Sequence, residues 1–260
     1  MPFDALTVLV LLAVGLMAGV LAGMLGIGGG LIFTPVLYWI FSAQGVERPE
    51  LWAIATSLFC TFTASAGGSL RHQLRESIHV REGLYAGLFG AAGTWVGKWI
   101  SGADWYGGWV FEGLISGLLA YSIWRVIRTL LHGRAMDPVL YEDRRLQKRE
   151  LGLTGIGGGF IATLAGIGGG LLMVPVLHAG FRQTYRKSVS VSELAIVIIS
   201  LAGFLQLWTY VDVVRALPLM AGAFTGAFLG VRWHDDLDPR WMKALHVGLM
   251  LLALVLTWTS

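Results

Sequence analysis

The chain has 260 residues, 55% of them hydrophobic and only 13% charged, with a formal net charge of +3 at pH 7 and a mean hydropathy of +0.68. That balance excludes an ordinary soluble domain, in which about a quarter of residues are charged. A single cysteine, Cys60, excludes an intramolecular disulfide or a thiolate metal cluster.

Long apolar stretches follow one another at about 5–24, 51–70, 82–100, 108–131, 151–165, 188–207, 212–231 and 242–259. Most approach the roughly 20 residues that a helix needs to cross hydrocarbon. Trp39, Trp52, Trp99, Trp105, Trp208, Trp233 and Trp258 lie near segment ends, where interfacial anchors belong. The first stretch carries Asp4 where a signal peptide would be basic, so it is expected to be retained. The basic residues lie in the connections between stretches, which argues against nucleic acid as a partner.

Inside the first segment runs Gly23-Met24-Leu25-Gly26-Ile27-Gly28-Gly29-Gly30. Glycine gives up helix propensity, so such a run breaks a helix where lipid offers the freed backbone no partner. The short piece Leu31–Pro35 then reads as a half-helix. Its N-terminus would present the amides of Ile27, Gly28, Gly29 and Gly30 with the positive end of a helix dipole, an anion site without side-chain charge. Close helix packing through small residues is the alternative reading.

The second stretch carries Thr56, Ser57, Thr61, Thr63 and Ser65 and closes on Arg71-His72. Ser57 and Ser65 are two helical turns apart and share a face, from which their hydroxyls could complete an oxyanion site. The alternative is bonding to carbonyls of their own or a neighbouring helix. Gly87, Gly90, Gly93 and Gly97 follow as a small-residue packing face.

After residue 131 the pattern starts again. At an offset of 140, Gly26–Leu31 matches Gly166–Leu171 and Pro35-Val36-Leu37 matches Pro175-Val176-Leu177. At 135, Ser57, Ser65 and Gly68 match Ser192, Ser200 and Gly203; at 133, Gly93 and Gly97 match Gly226 and Gly230. The chain therefore divides into repeats at 1–131 and 151–260, joined by a charged linker over 132–150 that could hold a surface helix. The second anion half-site falls on Ile167, Gly168, Gly169 and Gly170, with Thr56, Ser57 and Ser192 as the hydroxyls beside the two runs. Glu193, an acid in an apolar run, could carry a coupling proton, or it could pair with Lys187 at the membrane surface.

Basic residues decide the topology. If 5–41 and 151–178 each enter and return to their own side, 16 Lys and Arg share one face and only Arg48, Lys98 and Arg215 face the other. That is a strong positive-inside bias. The expected fold is an all-α polytopic membrane protein of two inverted repeats. Each holds a broken, re-entrant helical hairpin plus three transmembrane helices, seven or eight membrane segments in all.

These residues resemble the sulfite exporter TauE/SafE family of membrane permeases, also called TSUP. The resemblance rests on Gly26–Gly30 with Pro35-Val36-Leu37, the repeat at Gly166–Leu177, and Ala55-Thr56-Ser57-Leu58 with Ser65 and Arg71-His72. It implies a multi-pass carrier of a prokaryotic inner membrane that moves sulfite, sulfoacetate or another organosulfonate. Neither cofactor nor metal is expected. The partners are the anion and the bilayer, and a homodimer is compatible with them. Rocking of one half against the other would alternate access, with proton coupling. At Val191-Ser192-Glu193 the chain departs from the Thr-Ser-Leu that an echo of the first repeat would bring. No nucleophile elbow or metal-ligand spacing supports an enzyme. The alternatives are an anion channel and a membrane-embedded sulfur-relay protein using Cys60.

Overall fold

Helices form where the apolar stretches predict them, in a computed structural model that describes residues 4–74, 79–131, 144–233 and 239–259. The first half contains α1 (Ala5–Leu25), α2 (Gly30–Ala43), α3 (Pro49–Leu74), α4 (Val80–Ser101) and α5 (Gly108–Leu131). The second contains α6 (Lys148–Ala165), α7 (Gly170–Pro175) with a π-helical continuation Val176–Gly180, α8 (Tyr185–Gln206), α9 (Val213–Trp233) and α10 (Pro239–Trp258). A 3₁₀ turn, Trp208–Tyr210, joins α8 to α9.

Among the described residues, four helices are long and apolar enough to cross a membrane: α1, α3 over Pro49–Arg71, α8, and α9 over Val213–Arg232. The outer surface is apolar too, with Leu9, Trp99, Trp109, Leu153 and Val255 each more than half exposed. Water would not tolerate so much contiguous apolar surface, and lipid does. The surface helix expected within 132–150 falls mostly on residues 132–143, which lie outside the described residues.

Local chemistry sets the helix ends. The Asp4 carboxylate caps α1 by accepting the Thr7 amide at 2.9 Å and the Thr7 hydroxyl at 2.7 Å. Those bonds hold its pKa below the usual carboxylate range, the hydroxyl bond contributing most. Gln147 and Glu150 form a capping box that starts α6. Both α1 and α6 stop at a left-handed glycine, Gly26 (φ +68°) and Gly166 (φ +70°), whose N–H returns to the Ala22 or Ala162 carbonyl. Two more left-handed glycines follow each, Gly28 and Gly29 or Gly168 and Gly169. This backbone path is closed to β-carbon-bearing residues except under strain.

The half-helices differ from expectation. α2 does not stop at Pro35 but runs through it to Ala43, and Pro175 is followed by a π turn in which the Phe181 amide reaches the Val176 carbonyl at 3.0 Å. Each proline withdraws one helical N–H. In the second half the ladder widens to i−5 to absorb the loss.

Glycines then fix how the helices lie. A Cβ at Gly15, Gly19 or Gly23 of α1 would run into the backbone of Leu219, Ala223 or Ala227 of α9. Residue numbers rise together, so α1 and α9 lie parallel and in backbone contact. The same seam joins α6 to α4, where Gly155 and Gly159 meet Ala86 and Gly90. α3 follows α9 in parallel, with Cys60 at Ala216 and Gly67 at Phe224. α8 follows α4, with Leu194 at Gly83 and Ile198 at Gly87. Between the two groups α3 and α8 cross antiparallel, Leu58 meeting Gly203 and Gly68 meeting Glu193.

These seams make a prediction. Gly159→Val would drive a branched side chain into the Gly90 carbonyl, and overpacking of this kind costs about 1–3 kcal/mol. Thermal unfolding of the purified protein should show a clear loss of stability, whereas Gly113→Ala, whose Cβ meets nothing within 4 Å, should be silent.

Candidate functional site at the crossed glycine turns

α1 brings the first glycine turn to the middle of α8, and α6 brings the second to the middle of α3. The Ser192 hydroxyl of α8 donates to the Gly26 carbonyl at 3.0 Å. The Ser57 hydroxyl of α3 donates to the Gly166 carbonyl at 2.9 Å and accepts from the Thr34 hydroxyl at 2.8 Å. Each turn is thus pinned by a buried serine of the opposite half. The turns also abut one another: a Cβ on Gly30 would strike Gly166 and Ile167, and one on Gly170 would strike Gly26 and Ile27.

The N–H groups of Ile27, Gly28 and Gly29, and of Ile167, Gly168 and Gly169, have no acceptor among the described residues. Gly30 and Gly170 open helices, so their amides are free as well. Between the turns stand Thr61 of α3 and Ile196 of α8, whose methyl groups touch the Cβ positions of both Gly28 and Gly168. The Ser65 hydroxyl lies 3.3 Å from the Cβ position of Gly28.

The polar side chains around the turns have different employments. Thr56 serves the fold by accepting the Asp212 amide at 3.0 Å, with its hydroxyl 3.5 Å from the Tyr210 carbonyl. Ser57 and Ser192 hold the turns, and Ser200 donates to the Ile196 carbonyl of its own helix. Thr61, Ser65 and Glu193 are fully buried, and their side-chain oxygens have no hydrogen-bond partner among the described residues. The pairing of Glu193 with Lys187 does not form. Lys187 instead meets Glu82 of α4 at 3.1 Å and donates to the Arg144 carbonyl at 2.5 Å. The sequence places Ser57 and Ser65 on one face with equal claims, and only the neighbouring turn separates them.

The two ends of the helix bundle carry different charge. One gathers Lys187, Arg81, Arg145 and Lys148 with Glu82, around a cavity of about 540 Å³. At the other, Arg48 ties itself to Glu50 at 3.2 Å and to the carbonyls of Ser101, Ala103 and Tyr106. Arg215 there pairs with Asp212 and donates to Gln44. Arg48 and Arg215 therefore share an end, as the basic-residue count anticipates. Among the described residues no group of His, Cys, Asp and Glu could hold a metal ion.

The sequence profile described as Sulfite exporter TauE/SafE matches residues 11–257, both glycine turns included. The chain belongs to that family. It is 23% identical to a "Probable membrane transporter protein" of Methanocaldococcus jannaschii, over 90% of this chain and 89% of that one. It is 26% identical to the "Probable membrane transporter protein YunE" of Bacillus subtilis, over 89% of this chain and 90% of the relative. A Xylella fastidiosa relative of the same description is 27% identical over 86% and 84%. No solved structure matches the chain. As a TauE/SafE-family protein it is an integral membrane transporter, which accounts for its apolar exterior and for buried polar groups at mid-helix.

The pins differ in what their loss would expose. Ser57→Ala strands both the Thr34 hydroxyl and the Gly166 carbonyl, and Ser192→Ala strands only the Gly26 carbonyl. A buried unsatisfied group costs about 1–3 kcal/mol. Ser57→Ala should therefore lower the unfolding temperature more than Ser192→Ala in side-by-side melts.

Proposed function

We propose that this TauE/SafE-family protein is a secondary carrier, working as an exporter, of a small sulfur-containing oxyanion such as sulfite, sulfoacetate or another organosulfonate. The observation that carries the reading is the set of unpaired amides on two crossed glycine turns in the interior. Backbone N–H groups without acceptors are costly away from water, and an oxyanion supplies several acceptors at once. A sulfonate or sulfite group is small, tetrahedral or pyramidal, and rich in oxygen. It suits a seat made of amides rather than of fixed charges.

The fold is read here as two inverted repeats, each a re-entrant hairpin plus three spans. In support, α1, α3 and α9 run one way while their counterparts α6, α8 and α4 run the other. The basic end is taken as cytoplasmic, in a prokaryotic inner membrane. Its cavity would gather anions from the cell interior before they reach the turns. Access then alternates between the two ends, with the export cycle coupled to protons. No reactive residue at the turns suggests an enzyme, and Cys60, buried against α9 with its sulfur at the Ala216 carbonyl, is poorly placed for a sulfur relay.

Thermal-shift measurements on purified protein against sulfite, sulfate, thiosulfate, sulfoacetate and taurine at two pH values should show stabilisation by at least one sulfur oxyanion. Gly29→Ala is the informative variant. Its Cβ would press on the edge of the Phe33 ring and come into ordinary contact with the Ala18 carbonyl, whereas a Cβ at Gly169 would strike the Gly158 backbone and endanger the fold. With φ at +73°, alanine should distort the turn at a cost of about 1–2 kcal/mol. It should weaken anion stabilisation at least severalfold while the protein stays folded; unchanged affinity would sink the two-turn seat.

A further inference from the structure

The two halves place their side chains at matching positions around the turns, and a few exchanges change the chemistry there. Leu58 of α3 packs on Gly203 of α8, and at the offset of 135 the counterpart of Leu58 is Glu193, which packs on Gly68 of α3. The matching contacts show that the odd Val191-Ser192-Glu193 is in register. A carboxyl group has replaced an apolar side chain at an equivalent site. The neighbouring exchanges run the other way, since the Thr61 and Ser65 hydroxyls of the first half lack partners among the described residues while their counterparts are Ile196 and a self-bonded Ser200.

Thr61, Ser65 and Gly68 form one stripe of α3, spaced by four and three residues. Thr61 lies between the two glycine turns, Ser65 beside Gly28, and Gly68 under the Glu193 carboxyl. The stripe thus leads from the proposed anion seat to a buried acid by way of two unpaired hydroxyls. An ionised carboxylate left there would be uncompensated. Among the described residues of the surrounding elements, Lys187 is paired with Glu82 of α4, the Arg71 guanidinium of α3 lies over the Phe228 ring at 4.9 Å, and His178 bonds Gln183. A buried acid that meets no cation among the described residues is suited to hold a proton and release it when the path opens.

We propose that Glu193 is a proton-binding site within the membrane, reached from the glycine turns through Ser65 and Thr61, and that its proton travels with the anion. This rests on the carrier reading above. The proton forms an O–H bond on the Glu193 carboxylate on one side and is given up to water on the other. Each proton carried offsets one negative charge of the anion, and no electron is moved.

Two measurements on the full-length protein separate this inference from the carrier reading. In the infrared difference spectrum between wild type and Glu193→Gln in lipid, a carboxylic-acid C=O band at neutral pH is expected. A carboxylate band alone would overturn the proposal. In proteoliposomes loaded with a pH-sensitive dye, a sulfoacetate gradient should drive proton movement in the wild type. Glu193→Gln should lose that movement yet keep exchange of labelled for unlabelled sulfoacetate. Glu193→Asp should restore proton movement in part, and Ser65→Ala and Thr61→Val should slow it without removing the acid band. Undiminished proton movement in Glu193→Gln, or a requirement for sodium in place of the proton gradient, would overturn the proposal. Loss of exchange together with proton movement would also overturn it, by making Glu193 a part of the anion seat. Should the wild type carry none of the sulfur oxyanions, the carrier reading falls, and the infrared band still decides whether Glu193 holds a proton.

Discussion

Two interrupted helices meet in the interior, and each leaves a carbonyl that must be paired where lipid can pair nothing. The Gly26 and Gly166 carbonyls find their donors on the opposite half, in Ser192 and Ser57. Because the bonds cross, neither turn is complete without the other repeat. Much of the arrangement follows from this mutual dependence. α3 and α8 must cross at the centre to deliver the serines, and Gly30 and Gly170 must be bare for the turns to come so close. The carbonyls are satisfied by protein, and the amides on the other side of the same turns are left over.

The turns themselves are legible in the sequence because glycine runs in lipid-facing segments are costly and need a reason. Spacing also carries the repeat, since Pro35 and Pro175, or Gly93 and Gly226, keep their order through changing offsets. The sharing of one end by Arg48 and Arg215 is likewise foreshadowed by where basic residues fall along the chain. What spacing cannot convey is employment. Ser57 and Ser65 lie on one helical face with the same chemistry, yet one pins a carbonyl and the other is unpaired, because only one lies beside the Gly166 carbonyl. Glu193 and Lys187 are close along α8, but Glu82, a helix away, takes the lysine. Such outcomes depend on contacts between distant segments, which periodicity does not encode. The run of α2 through Pro35 is a milder case, in which packing against α3 and α10 outweighs the loss of one helical bond.

Departures from the repeat are concentrated near the turns rather than spread along the helices. The outer seams are conservative in kind: Gly15 and Gly19 of α1 correspond to Gly155 and Gly159 of α6, and both pairs press on the backbone of a parallel partner. Toward the centre the two halves diverge, with Leu58 set against Glu193, Ile196 against Thr61 and Val174 against Thr34. A handful of exchanges is enough to make the surroundings of the two turns chemically unlike. The polar members reside on α2 and α3 and at one point of α8.

The glycine seams also constrain how such a molecule can move. α1 is covalently part of the first half, yet its backbone is pressed against α9 of the second; α6 is likewise pressed against α4 of the first. Separating 1–131 from 151–260 as two rigid blocks would tear both seams. The mechanical units are therefore not the sequence repeats. α1 goes with α9 and α3, and α6 goes with α4 and α8, each unit borrowing a broken helix from one repeat and its support from the other. The two units meet at the antiparallel crossing of α3 and α8, so any relative motion between them is felt first by the turns that lie across it.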